Sequence, residues 1–135
     1  MTTTSRTPAT DAPTASRPLL TGLKVTAALA VLVVLWQFVT AGQLFSQDGG
    51  PVEAHEAGAI VLHVVSGLAA IAAVLLWRQG AVAAWVAALA VVVFAFGFLQ
   101  AALGGFDTLY VHVPGAMILT GGTVWLAIAV LRRRT

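Results

Sequence analysis

The chain has 135 residues, of which 59% are hydrophobic and only 9% are charged, with a formal net charge of +2 and no cysteine. A soluble domain carries about 25% charged residues, so this chain is predicted to be an integral membrane protein. The lack of cysteine excludes disulfides, iron–sulfur clusters, thiolate zinc sites and covalently attached c-type haem. Its 7 basic residues form no patch interleaved with aromatic residues, so nucleic acid is not an expected partner.

The predicted fold class is an all-α membrane protein with four transmembrane helices in an up-down bundle. Residues 1–18 are rich in Thr, Pro, Ala and Ser, and they are predicted to form a disordered cytoplasmic tail because they have little apolar surface to bury. Residues 19–135 are predicted to form the transmembrane domain. Four apolar runs in this domain each have the twenty or so residues that cross a hydrocarbon core about 30 Å thick. The predicted spans are about 20–45, 53–77, 81–103 and 109–131.

The positions of the basic residues predict the topology. All of them lie before the first span, between the second and third, or after the fourth: Arg6, Arg17, Lys24, Arg78, Arg132, Arg133 and Arg134. Because cytoplasmic loops carry the excess of Lys and Arg, both termini are predicted to be cytoplasmic, in the inner (plasma) membrane of a cell. The two loops on the opposite side then face the extracytoplasmic space.

An internal repeat relates the two predicted hairpins. Each has a glutamine near the outer end of its ascending helix, then a loop, then the pattern H-x-x-G at the start of its descending helix. The residues are Gln37, His55 and Gly58 in the first hairpin and Gln100, His112 and Gly115 in the second. Both hairpins begin on the same side, so the predicted repeat axis runs along the membrane normal.

The repeat places His55 and His112 at nearly the same depth in two parallel helices. Two imidazoles from facing helices at one depth are what axial ligation of haem iron in a helical bundle requires. The sequence therefore predicts a b-type haem held by these two histidines near the extracytoplasmic face. The alternative is that both imidazoles sit half solvated at the membrane interface and bind nothing.

Four further residues of the repeat have predicted roles around the haem. Gly58 and Gly115 lie one turn deeper than the histidines on the same helix faces, where a missing side chain would let a flat macrocycle lie against the backbone. In the alternative interpretation they only allow close helix packing. Gln37 and Gln100 would donate hydrogen bonds to a propionate or orient an imidazole.

Three other polar residues are open candidates. His63 lies about 12 Å deeper than His55, and it would hydrogen-bond the cofactor, relay a proton, or replace His55 as ligand if helix 2 begins later than predicted. In the alternative interpretation, His63 is a buried imidazole that is hydrogen-bonded to a hydroxyl or carbonyl group of a helix, for example at Ser66. Glu53 and Glu56 flank His55 as candidate acid or base groups, or are solvated loop carboxylates.

The stretch Gln100-Ala101-Ala102-Leu103-Gly104 and the histidines of helices 2 and 4 resemble one half of a haem A synthase. That family has two four-helix halves, each with histidines on its second and fourth helices, and the resemblance covers residues 20–131. It implies haem binding and, in the full family, oxidation of a haem methyl group. The chain is also similar to small four-helix bacterial membrane proteins with a Q-x-x-x-A-G segment and H-x-x-G helix starts, from which no activity follows.

The chain departs from the haem A synthase pattern at its catalytic motif. The family has the run E-x-x-H-R on helix 2, whereas Val52 and Ile60 stand three residues before His55 and His63, and no Arg follows either histidine. The outer-loop cysteine pair of many members is also absent. The resemblance therefore implies the fold and haem binding more than it implies an oxidoreductase.

The predicted function is that of a haem-binding membrane bundle for electron transfer, haem handling or oxidase assembly. The alternative is a cofactor-free membrane helper or subunit whose polar residues only pack and hydrogen-bond. The expected partners are the lipid bilayer and either another membrane protein or further copies of this chain.

Overall fold

A computed structural model describes residues 16–46 and 52–133 of the chain. These residues form four α-helices and one short 3-10 helix, and no strand occurs among them. The helices are α1 (Ser16–Leu44), α2 (Val52–Arg78), α3 (Ala84–Ala102) and α4 (Leu109–Leu131), with the 3-10 helix at Phe106–Thr108 before α4. All four are long and apolar enough to cross a membrane. The predicted all-α, four-helix, multi-pass membrane protein is thus confirmed.

Two helix boundaries differ from the predicted spans. Helix α1 begins at Ser16, so residues 16–18 of the predicted tail are helical, and residues 1–15 lie outside the described residues. Pro18 is tolerated there because the first N–H groups of a helix have no intrahelical acceptor. Helix α3 begins at Ala84, three residues later than predicted, because the chain needs a turn after α2.

That turn is built around Gly80, which has a φ of +71°. The Gly80 N–H donates to the Trp77 carbonyl and the Ala81 N–H donates to the Leu76 carbonyl, both at 2.9 Å. This is the Schellman arrangement, and it satisfies carbonyls at the end of α2 that would otherwise have no partner. A residue with a Cβ is strained at this φ, so glycine fits the position.

The four helices form a ring in which each packs against two neighbours. Contacts join α1 to α2, α2 to α3, α3 to α4 and α4 back to α1, whereas the Cα atoms of the diagonal pairs of these described helices stay more than 8 Å apart. Small residues such as Ala69, Ala73 and Ala90 are almost fully buried in the seams, as is usual where membrane helices approach closely. Large apolar side chains cover the outer faces, where lipid surrounds them.

The two ends of the bundle differ in chemistry. At one end, which we call the basic end, Lys24 Nζ donates to the Arg133 carbonyl at 2.6 Å, and the Arg133 guanidinium donates to the Ala81 carbonyl at 3.4 Å. The opposite end, which we call the histidine end, contains the first turns of α2 and α4. There the rings of Phe45 and Phe106 meet edge to face at 6.3 Å.

The two hairpins bury equivalent positions. Helix α2 corresponds to α4 when residue numbers differ by 57, as for His55 and His112. The buried pairs are Gly58 with Gly115, Leu62 with Leu119, Ser66 with Thr123, Ala69 with Leu126, Ala70 with Ala127, and Ala73 with Val130.

Helix α1 corresponds to α3 when residue numbers differ by 63, as for Gln37 and Gln100. Those buried pairs are Leu23 with Val86, Ala27 with Ala90, Ala30 with Val93, and Val34 with Gly97. The sequence repeat is therefore accompanied by a repeated packing pattern.

Candidate functional site

The histidine end holds the two imidazoles that the repeat singles out. Helix α2 begins at Val52 and α4 at Leu109, so His55 and His112 each lie in the first turn of their helix. Both side chains are partly buried. The structure thus places the two histidines at the same end of the bundle and at the same position in their helices.

The hydrogen bond of His112 fixes which of its ring nitrogens carries the proton. Its Nδ1 lies 2.9 Å from the backbone carbonyl oxygen of Gln100 on the neighbouring α3. Because a carbonyl only accepts, Nδ1 carries the hydrogen and donates it. In the neutral ring, Nε2 therefore keeps a free lone pair, which is the form that binds a metal ion.

His55 has the same arrangement through a different acceptor. Its Nδ1 lies 3.0 Å from the Thr40 hydroxyl on α1. That hydroxyl also lies 3.2 and 3.1 Å from the carbonyl oxygens of Trp36 and Gln37, which can only accept. When its one proton goes to either carbonyl, the hydroxyl oxygen accepts from Nδ1–H of the imidazole. Nε2 of His55 is then also the ring nitrogen with a free lone pair.

Thr40 is a site residue that the sequence analysis missed. It is 1% exposed and lies three residues after Gln37, one turn nearer the histidine end of α1. A buried hydroxyl on the glutamine's face of a transmembrane helix was the available signal. It was not found because the second hairpin has Leu103 at the corresponding position, so Thr40 is not part of the repeat.

The two glutamines lie against the two glycines of the repeat. The Gln37 amide occupies the space beside Gly58, and the Gln100 amide occupies the space beside Gly115, so a Cβ on either glycine would overlap the amide. Each glycine is thus explained by the glutamine of its own hairpin. The sequence analysis had instead assigned this space to a macrocycle.

The amide oxygens of both glutamines are buried without a hydrogen-bond partner among the described residues. Gln100 is 5% exposed, so the polar atom is withdrawn from solvent and lipid alike. Nε2 of His63 is the third such atom among the described residues. An unpaired buried polar atom is costly, so these three side chains are the ones ready to bond to a polar ligand.

His63 is separated from the other two imidazoles. Its ring lies on the α2–α3 seam, 4.3 Å from the Phe98 ring, with Nε2 facing the space beside Gly97. Its Nδ1 donates to the Ala59 carbonyl at 2.7 Å, rather than to Ser66, whose hydroxyl donates to its own helix. Since α2 begins as early as Val52, His55 and not His63 lies at the depth of His112.

The two candidate acidic groups are outside the imidazole cluster. Glu53 and Glu56 are both exposed in the first turns of α2. Glu53 in the first turn interacts favourably with the positive end of the helix dipole, as an ordinary structural carboxylate does. Neither position brings a carboxylate into the bundle interior.

A metal ion held by protein side chains alone has little support. Across residues 16–46 and 52–133 there is no group of three or more His, Cys, Asp or Glu side chains that could hold one. Two imidazoles suffice when the other four ligands of an iron come from a porphyrin.

Fold and site together define a class: a four-helix, multi-pass membrane protein with two oriented imidazoles at one end of the bundle. In comparisons with known proteins, no family model, no curated protein and no solved structure matches the chain.

Proposed function

We propose that the protein binds one b-type haem at the histidine end, with His55 and His112 as the axial ligands, for electron transfer, haem handling or oxidase assembly. The observation that carries the proposal is that Nδ1 of each imidazole lies within hydrogen-bond distance of an oxygen atom of the preceding helix, at 3.0 Å for His55 and 2.9 Å for His112. Both Nε2 atoms are left as electron-pair donors. The haem iron would supply reversible one-electron chemistry.

The residues around the imidazoles have defined tasks in this proposal. The Thr40 hydroxyl and the Gln100 carbonyl hold each ring in one tautomer and orientation, as the partners of ligating histidines commonly do. The amides of Gln37 and Gln100, buried one turn deeper, would turn their N–H groups toward the propionates. Gly58 and Gly115 leave the space that these amides fill.

The proposal includes a topology. Lys24, Arg78 and Arg133 lie together at the basic end, so the positive-inside rule assigns that end to the cytoplasm and the haem to the outer side of an inner (plasma) membrane. The haem A synthase-like oxidoreductase implied by the resemblance is not part of it. Glu53 and Glu56, the nearest acids, are exposed, and the E-x-x-H-R run is missing.

A reduced-minus-oxidised absorption spectrum tests the proposal. The protein is expressed with haem supplied, purified in detergent, and its haem is quantified against protein. We expect the sharp bands of a six-coordinate b-type haem at about one per chain. The matched control is His63→Ala, which removes the imidazole outside the cluster and retains the bands. A wild-type preparation without a chromophore would overturn the proposal.

A cofactor-free helper or subunit is the second candidate function, and one observation favours it. The Gln37 amide fills the space beside Gly58, and the Gln100 amide fills the space beside Gly115. Each glutamine thus packs the two helices of its own hairpin together. In that case the partner is another membrane protein or a further copy of this chain. The absence of haem, together with a stable higher-mass complex in mild detergent, would support this function.

A further inference from the structure

A groove runs along the lipid-facing side of the seam between α2 and α3. It consists of two adjoining parts of about 430 and 380 Å³, which share Val74 and Val91 and are therefore continuous. Small residues form part of the groove, between larger apolar side chains such as Trp77 and Phe94. Its walls include Gly67, Ala70 and Val74 on α2 and Ala84, Ala88 and Val91 on α3.

The dimensions of the groove match one lipid chain in one leaflet. On α2 it extends from Gly67 to Trp77, which is about 15 Å of helix. A hydrocarbon core of about 30 Å has two leaflets of roughly that depth. The groove lies in the half of the bundle nearer the basic end, and its walls are formed by apolar residues.

The charge at the open end of the groove favours an anionic lipid headgroup. Arg78 is exposed and lies one helical turn beyond Val74, on the face of α2 that lines the groove. On the other wall, α3 has no acidic residue in its first turn. Among residues 16–46 and 52–133, the acidic residues Glu53, Glu56 and Asp107 all lie at the histidine end. The mouth of the groove is thus positive.

We propose that this groove binds an anionic phospholipid, with one acyl chain between α2 and α3 and the headgroup phosphate at Arg78. An arginine pairs well with phosphate oxygens, and basic residues beside a membrane span attract anionic lipid by about 1 kcal/mol each. The site is independent of the haem proposal because it lies on the outer face of a different helix pair. Either proposal stands if the other fails.

Native mass spectrometry of the full chain tests the site. The protein is released from micelles that contain either dioleoyl phosphatidylglycerol or dioleoyl phosphatidylcholine, which differ in headgroup and share both chains. We expect the phosphatidylglycerol adduct to persist at collision energies that strip phosphatidylcholine. Arg78→Gln should weaken the phosphatidylglycerol adduct about fivefold, which corresponds to the loss of one such charge.

Matched variants separate the groove from general effects of charge and bulk. Arg132→Gln removes a charge at the same end on α4, and it should leave the adduct unchanged. Ala88→Phe fills the groove at an exposed position and should abolish the adduct, whereas Ile118→Phe on the lipid face of α4 should not.

Three results would overturn the proposal. The first is equal retention of the two lipids, and the second is equal weakening by Arg78→Gln and Arg132→Gln. The third is a dimer that excludes lipid and is dissociated by Ala88→Phe, which would assign the groove to a second copy of the chain.

Discussion

The first hairpin, α1 with α2, and the second, α3 with α4, repeat their packing closely at the histidine end. In both, a descending-helix imidazole has its Nδ1 bonded to the ascending helix, and a glutamine amide fits over a glycine. The acceptor differs, being the Thr40 hydroxyl in one hairpin and the Gln100 carbonyl in the other. In both hairpins Nε2 is the ring nitrogen with the free lone pair, so the feature that repeats is the orientation of the imidazole ring.

Deeper in the membrane the hairpins diverge at one pair of positions. Where α2 has His63, α4 has Thr120, and each donates to the carbonyl of its own helix four residues earlier, at 2.7 Å in both cases. Where α3 has Gly97 next to the imidazole, α1 has Val34. On the α2–α3 seam a large side chain on α2 thus lies beside a glycine on α3, and the corresponding positions on α4 and α1 have a smaller and a larger residue. The two residues differ in opposite directions, as expected if the repeat maintains the volume of the seam.

The largest expected effect is on haem retention, and it tests whether the two halves contribute equally. His112→Ala should reduce bound haem from about one per chain to near zero, because one axial ligand is lost. His55→Ala should do the same. Haem content is read from the absorption spectrum, and helicity from circular dichroism. Stoichiometric haem in folded His112→Ala would rule out ligation by both hairpins.

The next effect is on stability, where each glycine meets its glutamine. Gly115→Ala should lower the free energy of unfolding by about 1–3 kcal/mol, because the new Cβ overlaps the Gln100 amide. Gly58→Ala should lower the free energy of unfolding by a similar amount, because its Cβ would overlap the Gln37 amide. Denaturant titration in micelles measures both.

A double variant tests whether contact with the glutamine amide is the reason for the glycine. Adding Gln100→Ala to Gly115→Ala should recover much of the lost stability, since the overlapping group is gone. The control Gly121→Ala lies on a face with no atom within 4 Å of the new Cβ, and it should change little. If the double variant stayed as unstable as Gly115→Ala, contact with Gln100 would not be the reason for the glycine.

A smaller effect is expected from giving the α2–α3 seam the residues of the corresponding positions on α4 and α1. His63→Thr should cost about 1–2 kcal/mol, because it leaves a gap beside Gly97. Gly97→Val alone should also destabilise, since its Cβ would lie 3.3 Å from His63 Nε2. Combined, the two substitutions reproduce the pairing of Thr120 with Val34 and should recover most of the loss. Additive costs in the double-mutant cycle would contradict the volume argument.

The smallest effect concerns the paired buried hydroxyls. Ser66 and Thr123 each donate to the carbonyl of their own helix four residues earlier, at 2.6 and 2.8 Å. Those carbonyls also accept from the helix backbone, so Ser66→Ala and Thr123→Val should each change stability by about 0.5 kcal/mol or less. A cost well above this for only one of them would show that its hydroxyl has a task outside its own helix.

The fold could be predicted from the sequence because hydropathy and length determine where helices cross a membrane. The position of His55 and His112 in the first turns of α2 and α4 could be predicted too, because the repeat puts the two residues in register. The contact of Gln37 with Gly58 could not, because which neighbouring side chain fills a space depends on how the two helices cross. Thr40 was missed for the related reason that a single hydroxyl has no periodic pattern.

The hydrogen bond from Lys24 to the Arg133 carbonyl, which closes the ring of helices at the basic end, has a practical consequence. It keeps the beginning of α1 and the end of α4 side by side, a full membrane thickness from the imidazoles. An affinity tag or fluorescent fusion joined directly to Ser16 or to Arg133 would therefore start on the face remote from the histidine end. A label at either position would leave the histidine end uncovered in spectroscopic assays.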